Sequence, residues 1–456
     1  MTEAVIFSNV RIACLFNLGS YKIISTETFQ AAISEEQQQA TVMGAQSNKP
    51  LPTLKHLFDQ DPYSNKSFSF NNDLEDEILS ISSFCTATTS QSASASHELK
   101  RFKLTHLFYV VKTSKHILHD DVLSSLLTLV STNLFRPLPP PCTAAISSNV
   151  ADDEVVIPIP SLTWPQLEIV YDMLLWLLIN VDPQTLEKHI HNSFLLGLLS
   201  LFDSEETRER ENLKNIYHQI YYRFTMYRSF MRKVMSTVFL DYIFETERHN
   251  GIAEMLELWG SIINGFAVPL KEEHKVFLKR ILIPLHKAKG MQGFNKQLAY
   301  CVYQFVHKEP ELGGLVVRRI IRYWPLANSQ KELILIEELE DLVEKLDPKL
   351  HRDLAMPFCS HMNKCFNSLN SQVAERALYI WNSEAFVKMV STAMEQVFPL
   401  IIQGMEEIVH SHWNDNVKKL AHNVKALLEE MNPFLYHKTL HQNGFQITQA
   451  TQAQRL

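Results

Sequence analysis

From Pro165 onward the chain restarts one pattern about every 40 residues, the spacing of two-helix repeats. The restarts fall near Pro165, Thr207, Gly251, Gly293, Gln330 and Gln372, and each opens a pair of helices with apolar residues at period 3.6. A single pair cannot cover its own apolar face, so the pattern is stable only if successive pairs stack and share a continuous core. The expected fold is therefore all-α: a HEAT-like (armadillo-type) α-solenoid of stacked antiparallel helix pairs, curved along its length. With 12 glycines in 456 residues and no hairpin dipeptides between alternating strands, almost no sheet is expected.

The repeat is most legible between Glu245 and His274. Ile252, Met255, Leu256, Trp259, Ile263 and Phe266 form the buried stripe of one helix, which Asn250-Gly251 opens and Asn264-Gly265 closes. Pro269 is expected to open the next helix, with Glu272 and Glu273 in its first turn. Leu258 and Ile262 lie about 100° around the helix from that stripe and give it a second apolar face. On the preceding helix, whose core stripe is Leu213, Ile216, Ile220, Phe224 and Tyr227, the residues His218, Tyr221 and Arg228 share one ~80° sector. If neighbouring repeats stack, these residues, with Lys271 and His274, line one groove, apolar at its centre and cationic at one end. The competing reading is packing: His218 and Tyr221 between repeats, Lys271 and His274 on a solvated helix edge.

Outside the repeats the sequence changes character. Residues 1–95 are rich in Gln, Ser, Asn and Thr and read as a mostly flexible extension, in which Leu51 to Phe58 and Leu74 to Phe84 are candidate short helices capping the solenoid. The solenoid is expected over 96–440, interrupted by an acidic, proline-punctuated loop before Trp164, and a polar tail covers 441–456.

Chemistry is sparse. No phosphate-cradling loop or nucleophile motif occurs, and the pairs His189/His191, His361/Cys365 and His410/His412 fall short of a four-ligand metal set, so no catalytic residue, metal or cofactor is expected. The six cysteines have no CxxC spacing, which suits a reducing compartment. A net charge of −7 without a uniform basic stripe argues against nucleic-acid binding. The apolar run Phe194 to Phe202 is too short for a membrane span, and no basic region precedes an apolar core at the N-terminus, so an intracellular protein is expected.

Several blocks carry a resemblance: Asn133-Leu-Phe-Arg-Pro-Leu-Pro-Pro, Leu201-Phe-Asp-Ser-Glu-Glu-Thr-Arg-Glu-Arg, Glu245-Thr-Glu-Arg-His-Asn-Gly-Ile-Ala-Glu, Gly260-Ser-Ile-Ile-Asn-Gly-Phe-Ala, Pro269-Leu-Lys-Glu-Glu-His-Lys, Tyr323-Trp-Pro, Gln372-Val-Ala-Glu-Arg-Ala-Leu-Tyr and His412-Trp-Asn. Over roughly residues 97 to 435 the chain resembles the B-prime family of regulatory subunits of protein phosphatase 2A. The resemblance implies a non-catalytic subunit that joins a phosphatase scaffold subunit and a catalytic subunit and recruits substrate or adaptor proteins. It further implies a groove for an extended Leu-x-x-Ile-x-Glu peptide, formed by His218, Tyr221, Arg228, Glu257, Leu258, Ile262, Lys271 and His274. Gln219 stands where the family usually carries a basic residue, and Leu258 replaces an isoleucine. The expected compartment is the cytoplasm, with the nucleus as a second. The alternative is another α-solenoid peptide-binding adaptor, such as a transport receptor, that works without a phosphatase.

Overall fold

The computed structural model describes residues 72–87, 94–113, 118–138, 164–325 and 327–442. The expected N-terminal extension up to residue 71, including the Leu51 to Phe58 segment, lies outside these residues, as do the loop at 139–163 and the tail from 443. Three helices come first: α1 (Asn72–Ala87), α2 (Ser94–Thr113) and α3 (Asp120–Leu134). The first of them covers the Leu74 to Phe84 segment read from the sequence as a candidate capping helix. Ile78 and Cys85 of α1 are fully buried, and the helix packs on α2 and α3.

The repeats follow as α4 (Trp164–Asn180), α5 (Pro183–Glu187) and α6 (Asn192–Ser200), then α7 (Thr207–Arg223) with α8 (Arg228–Asp241). Next come α9 (Ile252–Asn264) and α10, which runs from Glu272–Phe277 through a π-helical turn, Leu278–Leu282, into Ile283–Leu285. The series continues with α11 (Asn295–Lys308), α12 (Leu312–Arg322), α13 (Ser329–Lys345), α14 (Pro348–Phe366), α15 (Ser371–Leu378), α16 (Glu384–Ser391), α17 (Met394–Ser411) and α18 (Asp415–Met431). Each sequence restart lies within two residues of the start of α4, α7, α9, α11, α13 or α15. Every described element is helical, turn or loop, with no strand among the described residues.

These first helices form one layer, α4 against α7, then α9, α11, α13, α15 and α18 in turn. The second helices form another, in which α8 touches α6 and the π turn of α10, α10 touches α12, and α12 touches α14. Between them runs one apolar core from Ile78 to Tyr436. The spacing that marks the repeat in sequence recurs in the bonds between repeats. Arg210 Nε donates to Glu254 Oε1 at 2.7 Å, Cys301 Sγ to the carbonyl of Leu256 at 3.2 Å, and Trp413 Nε1 to the carbonyl of Leu369 at 3.0 Å, each one repeat along the chain.

Two buried polar clusters fix the stacking where apolar contacts alone would let helices slide. Glu209, fully buried in the first turn of α7, accepts both Arg136 Nη1 and Nη2 at 2.9 Å, Tyr171 Oη at 2.7 Å and Ser204 Oγ at 2.6 Å. The carboxylate is saturated, which buried charge requires. It ties the segment after α3 to α4 and α7. Burial and that carboxylate together push the Tyr171 hydroxyl well above its ordinary range. Further along, His286 Nδ1 faces the carbonyls of Leu282 and Ile283, both at 3.0 Å, and Nε2 lies 2.9 Å from Glu338 Oε1 on α13. Burial works against its charge, but Glu338 and the two carbonyls outweigh it and raise His286 above the usual histidine range.

Among the cysteines, Cys85, Cys301, Cys359 and Cys365 are free and buried, and burial raises each thiol, so they behave as apolar filling. No group of three metal-ligating side chains occurs among the described residues.

A pocket between adjacent repeats

The ends of α7 and α9 and the starts of α8 and α10 enclose a pocket of about 410 Å³. Its geometry begins with how α7 ends. Phe224, with φ −108° and ψ 86°, breaks the helix, a 3₁₀ turn at Thr225–Tyr227 follows, and Arg228 opens α8. Arg228 is therefore not on the helix of His218 and Tyr221, as the 3.6-residue period implied. It returns to them by hydrogen bonds: Nε donates to the carbonyl of Tyr221 at 2.8 Å and Nη2 to that of Tyr222 at 2.9 Å, capping the orphan carbonyls of α7. Its guanidinium also sits 5.4 Å from the centre of the Tyr221 ring.

The other side is built by α9 and the link to α10. Gly265 caps α9 as expected, but α10 starts at Glu272, not at Pro269. The link stays extended there: Leu270 N–H donates to Glu309 Oε1 at 2.6 Å, and Lys271, with ψ 153°, is the N-cap. Ile262 forms the floor, and a smaller space directly beneath is lined by Leu258, Tyr217, Met231 and Met235. The second apolar face of α9 is thus met by Tyr217, His218 and Tyr221 of α7 and by Met231 and Met235 of α8, with Ile262 left 7% exposed at the pocket.

His218, Tyr221, Arg228, Ile262, Lys271 and His274 come together around the pocket, and Leu258 supports it from below. Glu257 does not line it. Its carboxylate holds Lys214 and accepts from Gln297 Nε2 at 3.1 Å, which places it in the contacts among α7, α9 and α11. His274 also differs from the expected cation. It is buried, its ring stacked on Phe266 with centroids 3.6 Å apart, and burial lowers it below the ordinary histidine range, so it is neutral at neutral pH. Burial lowers His218 in the same way.

The cation that sequence reasoning missed is Arg232. Its Nη1 donates to Tyr221 Oη at 2.9 Å, and its Nη2 stands 4.0 Å from Glu273 Oε1. A signal for it existed: Arg228 and Arg232 are four residues apart and share a helix face. Phe266, assigned to the core stripe, is only partly buried and forms a wall with His274. The pocket thus offers an aliphatic floor, ring walls with hydrogen-bonding edges, and a margin of Arg228, Arg232 and Lys271 with one internal acid, Glu273. Such a site accepts an apolar side chain and an adjacent carboxylate together.

A family model described as "Protein phosphatase 2A regulatory B subunit (B56 family)" matches residues 65–455, beyond both ends of the resemblance read from sequence blocks. The B' beta isoform of the 57 kDa regulatory subunits of serine/threonine protein phosphatase 2A from Arabidopsis thaliana is 40% identical over 343 residues, 75% of this chain and 69% of the relative. The 55 kDa B' delta isoform of the same plant is 41% identical over 351 residues, covering 75% and 72%. The alpha isoform of the 56 kDa regulatory subunits from Mus musculus is 40% identical over 344 residues, covering 75% and 70%. With matches that span the whole stack of helix pairs, the chain belongs to the B56, or B-prime, family of regulatory subunits of protein phosphatase 2A, and is a regulator with no catalytic role of its own.

Proposed function

We propose that this chain joins a phosphatase scaffold subunit and a catalytic subunit as their targeting subunit, and that the pocket between α7–α8 and α9–α10 holds a Leu-x-x-Ile-x-Glu segment of a substrate or adaptor protein. The observation that carries the peptide reading is the meeting of an apolar floor at Ile262 with the cations Arg228, Arg232 and Lys271 around one opening. The aliphatic side chain of such a segment fills the pocket over Ile262, and its carboxylate lies at the cationic margin. His218 and Tyr221 supply ring surface and hydrogen-bonding atoms to the extended backbone. Docking there raises the substrate's concentration beside an active site held by another subunit.

The assembly half of the proposal is tested by gel filtration of the chain mixed with a preformed scaffold–catalytic pair. Co-elution is expected at micromolar concentration, and the chain alone is expected to release no phosphate from a phosphopeptide above background. Separate elution would favour an α-solenoid adaptor that acts without a phosphatase.

The peptide half has a pH signature. A docked carboxylate favours the protonated form of His274, which burial holds neutral in the free protein. Binding then takes up a proton, so affinity is expected to rise as the pH falls from about 8 to about 6, across the ordinary histidine range. Titration calorimetry in two buffers of different ionisation enthalpy reads that proton directly. A pH-independent affinity would remove His274 from beside the carboxylate.

A further inference from the structure

On α2 the inward side is Leu104, Leu107, Val110 and Val111, all buried, and α1 and α4 pack on the helix. The opposite side is not the polar face that a surface helix normally turns to water. Leu99 is 49% exposed, Phe102 70% and Tyr109 66%, and with exposed His106 and Thr113 they step along the helix by 3, 4, 3 and 4 residues. That step is the heptad spacing of a seam between two helices, with Leu99, His106 and Thr113 at one core position and Phe102 and Tyr109 at the other. Thr105 and Thr113 spend their hydroxyls on carbonyls of their own helix, of Arg101 and Tyr109, at 2.9 and 2.8 Å, so neither needs a polar partner outside it.

The charges beside the seam select its partner. Glu98 and Lys112, both exposed, flank it on the same side, two heptads apart. When two copies of α2 lie antiparallel, the core positions meet as Leu99 with Tyr109 and Phe102 with His106, each twice, and Glu98 of one copy meets Lys112 of the other, again twice. Within the chain Glu98 lies 3.7 Å from Arg101 in an exposed pair of little strength, so it is free to exchange. A parallel pairing stacks His106 on His106 and offers Glu98 only Lys103, whose Nζ is held 3.6 Å from the centre of its own chain's Phe84 ring. The stripe is thus self-complementary, as a twofold interface requires.

We infer that the exposed seam of α2 is the contact of a dissociable homodimer, in which two copies pair α2 antiparallel about a twofold axis at the level of Leu104 and Thr105. Covering the exposed parts of Leu99, Phe102 and Tyr109 and their neighbours in both copies removes on the order of 800 Å² from water, at about 150–250 Å² for each buried aromatic side chain. That lies below the ~1,200 Å² at which stable interfaces begin. The dimer is therefore weak, with a dissociation constant of roughly 10–100 μM. A lipid surface fits less well. Glu77 lies 3.9 Å from His106 in the middle of the seam and Glu98 borders it, and such acids repel the anionic headgroups that amphipathic helices seek.

The test is sedimentation equilibrium of the full chain from about 1 to about 200 μM, where the mean mass is expected to climb from that of one chain toward that of two. Phe102→Glu with Tyr109→Glu, both at exposed positions, is expected to stay monomeric throughout, with circular dichroism and urea unfolding like the wild type. Register is read with single added cysteines and a short bis-maleimide, over the wild-type background. Thr105→Cys is expected to crosslink to a second copy, because the axis passes beside it. Leu99→Cys is not, since its mate lies about 15 Å away along the helices at 1.5 Å per residue. A dimer that the double variant keeps, or crosslinking at Leu99→Cys in place of Thr105→Cys, overturns the antiparallel seam. A wild type that is monomeric at every concentration overturns the dimer. If the double variant is then less stable, the face is covered by another stretch of the same chain. If it is equally stable and anionic vesicles co-sediment the wild type but not the variant, the face is a lipid surface.

Discussion

Replacing Trp259 with alanine is expected to lower the unfolding free energy of the chain by about 3–5 kcal/mol. The indole is buried on α9 and lies flat on Phe277 of α10, with centroids 3.7 Å apart and planes 13° from parallel. Losing it removes a large apolar area and leaves a void that backbone on both sides holds open. The void falls between the two helices of one repeat, in a stack where each repeat is stabilised by its neighbours, so the loss is expected to broaden the urea transition as well as shift it. A loss below about 1 kcal/mol in denaturant unfolding would mean that the ring contributes no core packing.

Reversing two charges at the pocket margin is expected to weaken a Leu-x-x-Ile-x-Glu peptide at least tenfold, about 1.4 kcal/mol or more. The variant is Lys271→Glu with Arg232→Glu. Lys271 is exposed, and Arg232 keeps a side chain 24% exposed, so neither replacement places a carboxylate in the core. His274→Glu would be a poor choice, since that ring is buried against Phe266. Each rim pair alone contributes little, but two reversals turn attraction into repulsion and leave the peptide's carboxylate unpaired. Calorimetric titration with circular dichroism as the control decides it. Equal affinities for variant and wild type would remove the pocket as the docking site.

The fold was legible because its information is periodic. Gly251 and Gly265 bracket α9, and the buried residues Ile252, Met255, Leu256, Trp259 and Ile263 are those of its 3.6-residue stripe. The pocket was legible in its members and less so in its construction. A regular period carried Arg228 round the helix of Tyr221, whereas the chain leaves that helix at Phe224 and the guanidinium folds back to it. Neutral His274 was out of reach for a related reason: its state depends on Phe266 and on burial, which no spacing encodes. Glu257 was implied for the groove by the family resemblance alone, and it spends its carboxylate on Lys214 and Gln297, partners 43 and 40 residues away.

The bonds that join the repeats have a mechanical consequence. Arg210–Glu254, Cys301–Leu256 and Trp413–Leu369 each reach about one repeat along the chain, so bending at such a joint is resisted mainly by the contacts of that joint. The pocket straddles such a joint, with Tyr221 and Arg232 borne by one repeat and Ile262 and Lys271 by the next. A ligand gripping both sides acts as a splint, and its hold depends on the angle at which it finds them. By reciprocity, whatever flexes the stack at α8 and α10 from elsewhere alters that grip by the same free energy with which the grip stiffens the stack.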